Sequence, residues 1–217
     1  MECGEIRDRS VYIMISRTQT KFARCIRRIG RQQYNHASVS LDDNLGAVYS
    51  FSRPQHNAVF LGRLVRESLE RYTLGRNAEV PVVVFRVPVT EKEYLQIAAI
   101  IEKMLDNTDY MYNLFSVLTY PVTKGFATYK AFTCIEFVAY VMGKIGYLQE
   151  KPYWSYKPDD LLTELDEKIV YRGDIRKRMS DEYSGPDYFA PFTWDYMVKS
   201  IVTMCRLIAR TCIRRYH

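Results

Sequence analysis

The run VPVVVFRV, Val80 to Val87, constrains this chain more than any other stretch. It is almost all β-branched or aromatic and hardly alternates between apolar and polar, so it reads as a central strand buried on both faces. At 217 residues the chain is long enough to bury the core that such a strand needs. Past Pro88, TEKEYLQIAAIIEKML pairs Thr90 as a cap with Glu93 three residues on, a capping box, and sets Tyr94, Ile97, Ile101 and Met104 on one side. That predicts a helix directly after the strand.

The rest of the chain supplies strands and helices in mixed order. VYIMIS, Val11 to Ser16, reads as a buried strand, followed by a helix capped at Thr18 or Thr20 and ended by Gly30. HASVSL and AVYSFS, joined by DDNLG, read as a β-hairpin. Leu61 to Tyr72 is charged and periodic, which suggests a short helix or an ordered loop. DYMYNLFSVLTY is Tyr-rich and carries no clear period. AFTCIEFVAYVMGKIG reads as a helix capped by Thr133 and ended by Gly143 or Gly146. KPDDLLTEL suggests a short helix, KIVYRGDI a last edge strand, and Ser180 to Pro191 a linker. From Trp194 to Tyr216, Met197, Ile201, Met204 and Ile208 recur at helical spacing while Lys199, Arg206 and Arg210 fall elsewhere on the wheel, the pattern of an amphipathic helix.

Charge and cysteine usage narrow the function classes. Lys and Arg number 31 against 25 Asp and Glu, a net charge of +6, and the basic residues crowd both ends of the chain. They are not interleaved with aromatics in any recognition element, so no nucleic-acid partner is expected. The five cysteines, Cys3, Cys25, Cys134, Cys205 and Cys212, form no CxxC pair and no zinc-like spacing with His36, His56 or His217. No metal and no cofactor are expected. The first residues lack the apolar run of a secretory signal, and no stretch reaches the length of a membrane span, so a cytoplasmic setting with free thiols is expected.

Two residues stand out chemically. Cys134 follows a capping Thr at the first turn of a predicted helix, where unpaired amides and the helix dipole stabilise a thiolate and the oxyanion of an attacked acyl group. Its neighbours Phe132, Ile135 and Phe137 also suit a core cysteine. His36 opens the first hairpin strand, from where a neutral imidazole can act as general base toward a helix terminus.

YNHASVSLDDNLGAVYSFSR with FTCIEFVAYVM, His36 preceding Cys134 by 98 residues, resembles the permuted branch of the NlpC-type papain-like superfamily, the YiiX-like amidases or peptidases. In ordinary papain-like enzymes the Cys helix comes before the His strand; here the order is reversed. Proteins related to lecithin:retinol acyltransferase share this order, and CIEFV is similar to their Cys-bearing helix start. The resemblance spans roughly Val11 to Ile175. It implies an α+β, papain-like fold: an antiparallel sheet with the catalytic Cys helix packed on it, in a hydrolase domain over residues 1–178. A linker and the C-terminal amphipathic helix would occupy 179–217.

The implied chemistry is covalent acyl transfer, with Cys134 as nucleophile and His36 as its base. A third polar group usually orients the histidine from the neighbouring strand. Ser50 and Ser52 share the parity of His36 across the hairpin, and Ser50 is the expected third residue, although a hydroxyl orients an imidazole weakly. Tyr12 is a candidate phenol for the oxyanion. Arg53 is a candidate for a substrate carboxylate or a salt bridge to Asp42 or Glu67. His56 is expected in a loop, and Glu136 as a first-turn carboxylate complementing the helix dipole.

Three readings stay open: a cysteine amidase or peptidase acting on a small peptide or acylated substrate, a membrane-associated acyltransferase or thioesterase, and an inactive binding module. The C-terminal helix would pack on the domain, form a homodimer or make a peripheral membrane contact.

Overall fold

The computed structural model describes residues 7–19, 21–55, 60–73, 79–176, 191 and 193–212. His56, Thr20, residues 177–190, which include all but the last residue of the expected linker, and the last five residues lie outside them. The protein is α+β: the described residues form a six-stranded antiparallel sheet and seven α-helices, the last being the C-terminal helix. The sheet strands are β1 (Arg9–Ser16), β2 (His36–Ser40), β3 (Val48–Ser52), β4 (Arg63–Glu67) and β5 (Glu79–Val89), with Ile169–Arg176 as the last. That last strand is β8, because Met111–Tyr112 (β6) and Ala131–Phe132 (β7) form a separate parallel pair. The order across the sheet is β4-β3-β2-β1-β5-β8.

The Val-rich run lies inside this sheet as expected. β5 pairs with β1 along Arg9↔Val89 to Ser16↔Val82, and on its other edge with β8, which closes the sheet. Its side chains feed two clusters. Val83, Phe85 and Val87 join Ile13, Ile15, Val39 and Phe51 on the face that carries the main core, while Val80, Val82 and Val84 meet Met14, Val48 and Tyr72 on the opposite face. Alternation along a strand sends neighbours to opposite faces, so a run apolar at nearly every position must be covered twice.

The helices are α1 (Lys21–Gly30), α2 (Leu69–Tyr72), α3 (Glu91–Asp106), α4 (Leu114–Thr123), α5 (Cys134–Gly143), α6 (Leu161–Glu164) and α7 (Trp194–Cys212). The capping box before α3 forms: Thr90 Oγ1 accepts from the Glu93 amide at 3.2 Å, and the Glu93 carboxylate takes the Thr90 amide at 2.8 Å. Ile97, Ile101 and Met104 of α3 are buried in the main core, beside Phe137, Val138 and Val141 of α5.

Two expectations are corrected. Leu61 to Tyr72 is neither one helix nor a loop: Arg63–Glu67 is the edge strand β4, paired with β3, and only the short α2 follows. Its charged residues disguise a strand because Arg63 and Arg66 are exposed while Leu64 and Glu67 are buried. In α7, only part of the expected apolar face meets the domain: Met204 packs with Leu207 against Met111, Leu114 and Ala131, while Ile201 and Ile208 are 56% and 48% exposed.

Candidate functional site

Thr133 fixes the start of α5. Its hydroxyl accepts from the Glu136 amide at 3.1 Å, and the Glu136 carboxyl takes the Thr133 amide at 2.8 Å, so Cys134 is the first residue of a capped helix. The helix packs on β2 and β3, which brings its start to the end of the sheet where β2 begins. There Cys134 Sγ lies 4.0 Å from the carbonyl of Asn35 and its residue is 5% exposed.

The approach to His36 is pinned by neighbouring chain. The Asp159 carboxylate accepts the amides of Gln33 and Tyr34 at 2.6 and 2.9 Å. The Asn35 side chain bridges Thr18 Oγ1 and Arg27 at 2.8 and 2.6 Å, and its amide donates to Ser16, the register partner of His36. These bonds hold a loop that would otherwise carry unsatisfied buried amides.

His36 faces two partners. Its Nε2 is 3.2 Å from Glu67 Oε2, and the nearby Cys134 raises the ring's affinity for a proton. Burial opposes a charge on the imidazole, but Cys134 first and then Glu67 outweigh it and raise His36 to about 10. Desolvation likewise pushes Glu67 upward, and His36, Arg71 and Ser50 overcome it to hold the carboxyl at about 2.

Glu67 is the residue that the sequence reading did not place in the site. It stands at the end of β4, 6% exposed, and collects five groups: His36, Ser50 at 2.7 Å, Ser52 at 2.7 Å, the Tyr72 hydroxyl at 3.0 Å and Arg71 Nε at 3.3 Å. A buried carboxylate persists only with such compensation. Ser50 is therefore one step removed from the expected role: its hydroxyl donates to the Glu67 oxygen that meets His36, and the carboxylate orients the ring. A hydroxyl alone would orient the imidazole weakly; the Glu67 carboxylate supplies a negative charge beside it.

The other expected residues divide. Tyr12 pairs with Ser40 while Ser16 pairs with His36, so Tyr12 stands four residues along β1, about 13 Å at strand rise, and packs in the opposite-face cluster. It is not placed to meet an oxyanion at Cys134. Asp42 accepts the amides of Asn44 and Gly46, Arg71 is the guanidinium seen on Glu67, and the Arg53 charge acts on Tyr112.

Tyr112 is the phenol beside the sulfur. β6 pairs with β7 in the register Tyr112↔Phe132, two residues before Cys134, and the Tyr112 amide donates to Gly62 at 2.7 Å. Gly62 permits that approach: a Cβ there would lie 2.5 Å from Tyr112 Cβ. Burial, then Cys134 and Glu136, push the phenol well above the usual tyrosine range, so it remains a proton donor at neutral pH. Among eighteen tyrosines no sequence signal singled it out.

Glu136 occupies the first turn as expected, but its state differs. It is 2% exposed and contacts Ser116 Oγ at 2.6 Å and Asn113 Nδ2 at 3.4 Å, and burial raises it to about 8, so the neutral acid dominates at pH 7.

Beside Cys134 lies a cleft of about 510 Å³, part of it open to solvent. Its walls include Ile26, Tyr112, Val117, Tyr120, Trp154 and Tyr156. Among the described residues no group of three or more His, Cys, Asp or Glu is arranged to hold a metal ion. A thiol at a helix start, an imidazole backed by a carboxylate, a neutral phenol and an apolar cleft are together the parts that acyl transfer uses. No family model, no curated protein and no solved structure matches the chain.

Proposed function

We propose that this protein is a cysteine-nucleophile hydrolase or acyltransferase of permuted papain-like fold, acting on an amide or thioester through Cys134, His36 and Glu67. One observation carries the reading: the His36 ring, bonded to Glu67, lies within the electrostatic reach of Cys134, while Glu67 is itself held by Ser50, Ser52, Tyr72 and Arg71. A structural cysteine needs no such relay.

In the proposed cycle, the Cys134 proton already rests on the charged His36 ring, and the sulfur attacks the acyl carbon, with the carbonyl electron pair moving to oxygen. The helix-start amides of Cys134 and Ile135, which have no intrahelical acceptor, and the Tyr112 hydroxyl are the donors available to that oxyanion. Collapse expels the amine or thiol, which leaves with the proton from His36, and gives a thioester on Cys134. Acylation removes the negative sulfur, the strongest influence raising His36, so the ring becomes a better base at this point. It then takes a proton from water or an acceptor amine, whose attack frees the acyl group, expels the sulfur with the electron pair of the C–S bond and returns the charged ring and sulfur to their starting state.

The apolar cleft wall favours an acylated substrate over a charged peptide, since aromatic and aliphatic side chains select apolar groups. The test is mass spectrometry of the protein after brief exposure to short-chain acyl thioesters and peptidyl amides. A transient acyl adduct on Cys134, absent in Cys134→Ala and strongly reduced in His36→Ala, supports the proposal. Adducts that form on Cys205 and Cys212 as fast as on Cys134, or none with any substrate, contradict it.

A further inference from the structure

The geometry points to the outer face of α7 as a docking surface for an anionic lipid bilayer. The helix meets the domain along one narrow line, where Ser200 and Leu207 are buried and Met204 is partly so. Arg210 strengthens this contact by donating to the carbonyl of Asp109 at 2.7 Å. Turned away from the domain are Trp194, Val198, Ile201, Val202 and Ile208, between 44% and 78% exposed, joined by exposed Cys205, Ala209 and Cys212. A soluble surface helix normally turns polar residues outward; this one shows apolar side chains on the side that the domain does not use.

Charge identifies the occupant. Lys199 and Arg206, both exposed, border one side of the apolar stripe; Lys199 pairs at 2.6 Å with Asp195, the single acidic residue of the helix, and the whole chain is at +6. An apolar stripe with a tryptophan and a basic border is what the headgroup region of an anionic bilayer binds. A second copy of the helix fits less well. The stripe is three residues wide, as Val202 and Ala209 extend the row through Val198, Cys205 and Cys212, whereas two-helix seams are narrower, and α7 offers no acidic row to meet Lys199 and Arg206. No helix among the described residues is long and apolar enough to cross a membrane, so the helix would lie in the interface plane.

The surface is also placed near the cleft. Phe115 of α4 packs in the same cluster as Met204 and Leu207, and Val117 and Tyr120 of α4 line the cleft beside Cys134. A bilayer bound at α7 would lie one helix away from the sulfur. The docking itself does not depend on Cys134 chemistry.

The experiment is co-sedimentation of the full chain with vesicles of phosphatidylcholine alone or mixed with phosphatidylserine, alongside light scattering without vesicles. The wild type should pellet with the mixed vesicles and lose binding in high salt. Arg206→Gln should weaken binding about fivefold, the factor for one basic side chain at an anionic surface. Ile201→Glu, at an exposed position that folding does not need, should weaken it by at least about tenfold with unchanged circular dichroism. Cys134→Ala should pellet like the wild type, so loss of the catalytic reading would leave this result standing. Absence of pelleting with mixed vesicles, or unchanged pelleting of Ile201→Glu, overturns the inference. So does a dimer abolished by Ile201→Glu without vesicle binding, which would assign the face to a second copy.

Discussion

Glu67→Gln keeps the shape of the side chain and removes its charge, so it isolates what the carboxylate contributes. In the folded protein the carboxyl is held at about 2 against an ordinary 4.5. The difference, 4.5 minus 2, times ~1.4 kcal/mol per pH unit gives about 3 kcal/mol of stability at neutral pH. Little of this is lost to solvent screening, since the side chain is only 5% exposed. The group has a depressed folded value, so its contribution is fully present above pH 4.5 and is lost as pH falls through about 2. Urea unfolding of both proteins at pH 6 should show the variant destabilised by about 3 kcal/mol with an unchanged denaturant slope. At pH 3 the gap should shrink to less than half. A cost below about 1 kcal/mol at pH 6, or a gap that does not change between pH 6 and pH 3, would refute the claim that Glu67 is a buried, ionised hub.

Glu136→Gln should flatten part of the pH profile: the carboxyl is raised to about 8, so its stabilising share is present below pH 4.5 and lost as pH rises through 8. Wild-type stability should therefore decline between pH 5 and pH 8 more steeply than that of the variant, as read by thermal unfolding across that range. Gly62→Ala places a Cβ 2.5 Å from Tyr112 Cβ and should cost about 1–3 kcal/mol in chemical denaturation, with a slower acylation step if Tyr112 serves the oxyanion.

What was legible in the sequence was local. The Thr90 and Glu93 box, the hairpin around DDNLG and the unbroken Val80 to Val87 run each declare themselves within a few residues, because their bonds close within a few residues. Cys134 and His36 stood out because a scarce side chain sat at the start of an element. Glu67 did not, since its meaning depends on β4 pairing beside β3, and the RLVRE stretch carries charges that a half-buried edge strand tolerates as readily as a helix does. Tyr112 was hidden for a different reason: its role comes from a two-residue parallel pairing and from the absence of a side chain at Gly62. In α7 the wheel gave one apolar face, through Met197, Ile201, Met204 and Ile208. Only the packing of Leu207 revealed which side the domain uses.

The central claim is that His36 is coupled to Cys134 and Glu67, and the most direct measurement is the titration of the His36 ring by nuclear magnetic resonance in wild type and Cys134→Ala. The account predicts that the wild-type ring keeps its charge through neutral pH and titrates near pH 10, and that the midpoint falls when the sulfur is removed, since Cys134 is the strongest influence raising it. A ring that titrates near 6.5 in both proteins would mean that the two side chains do not act on each other, and the acyl-transfer proposal would fall with that coupling.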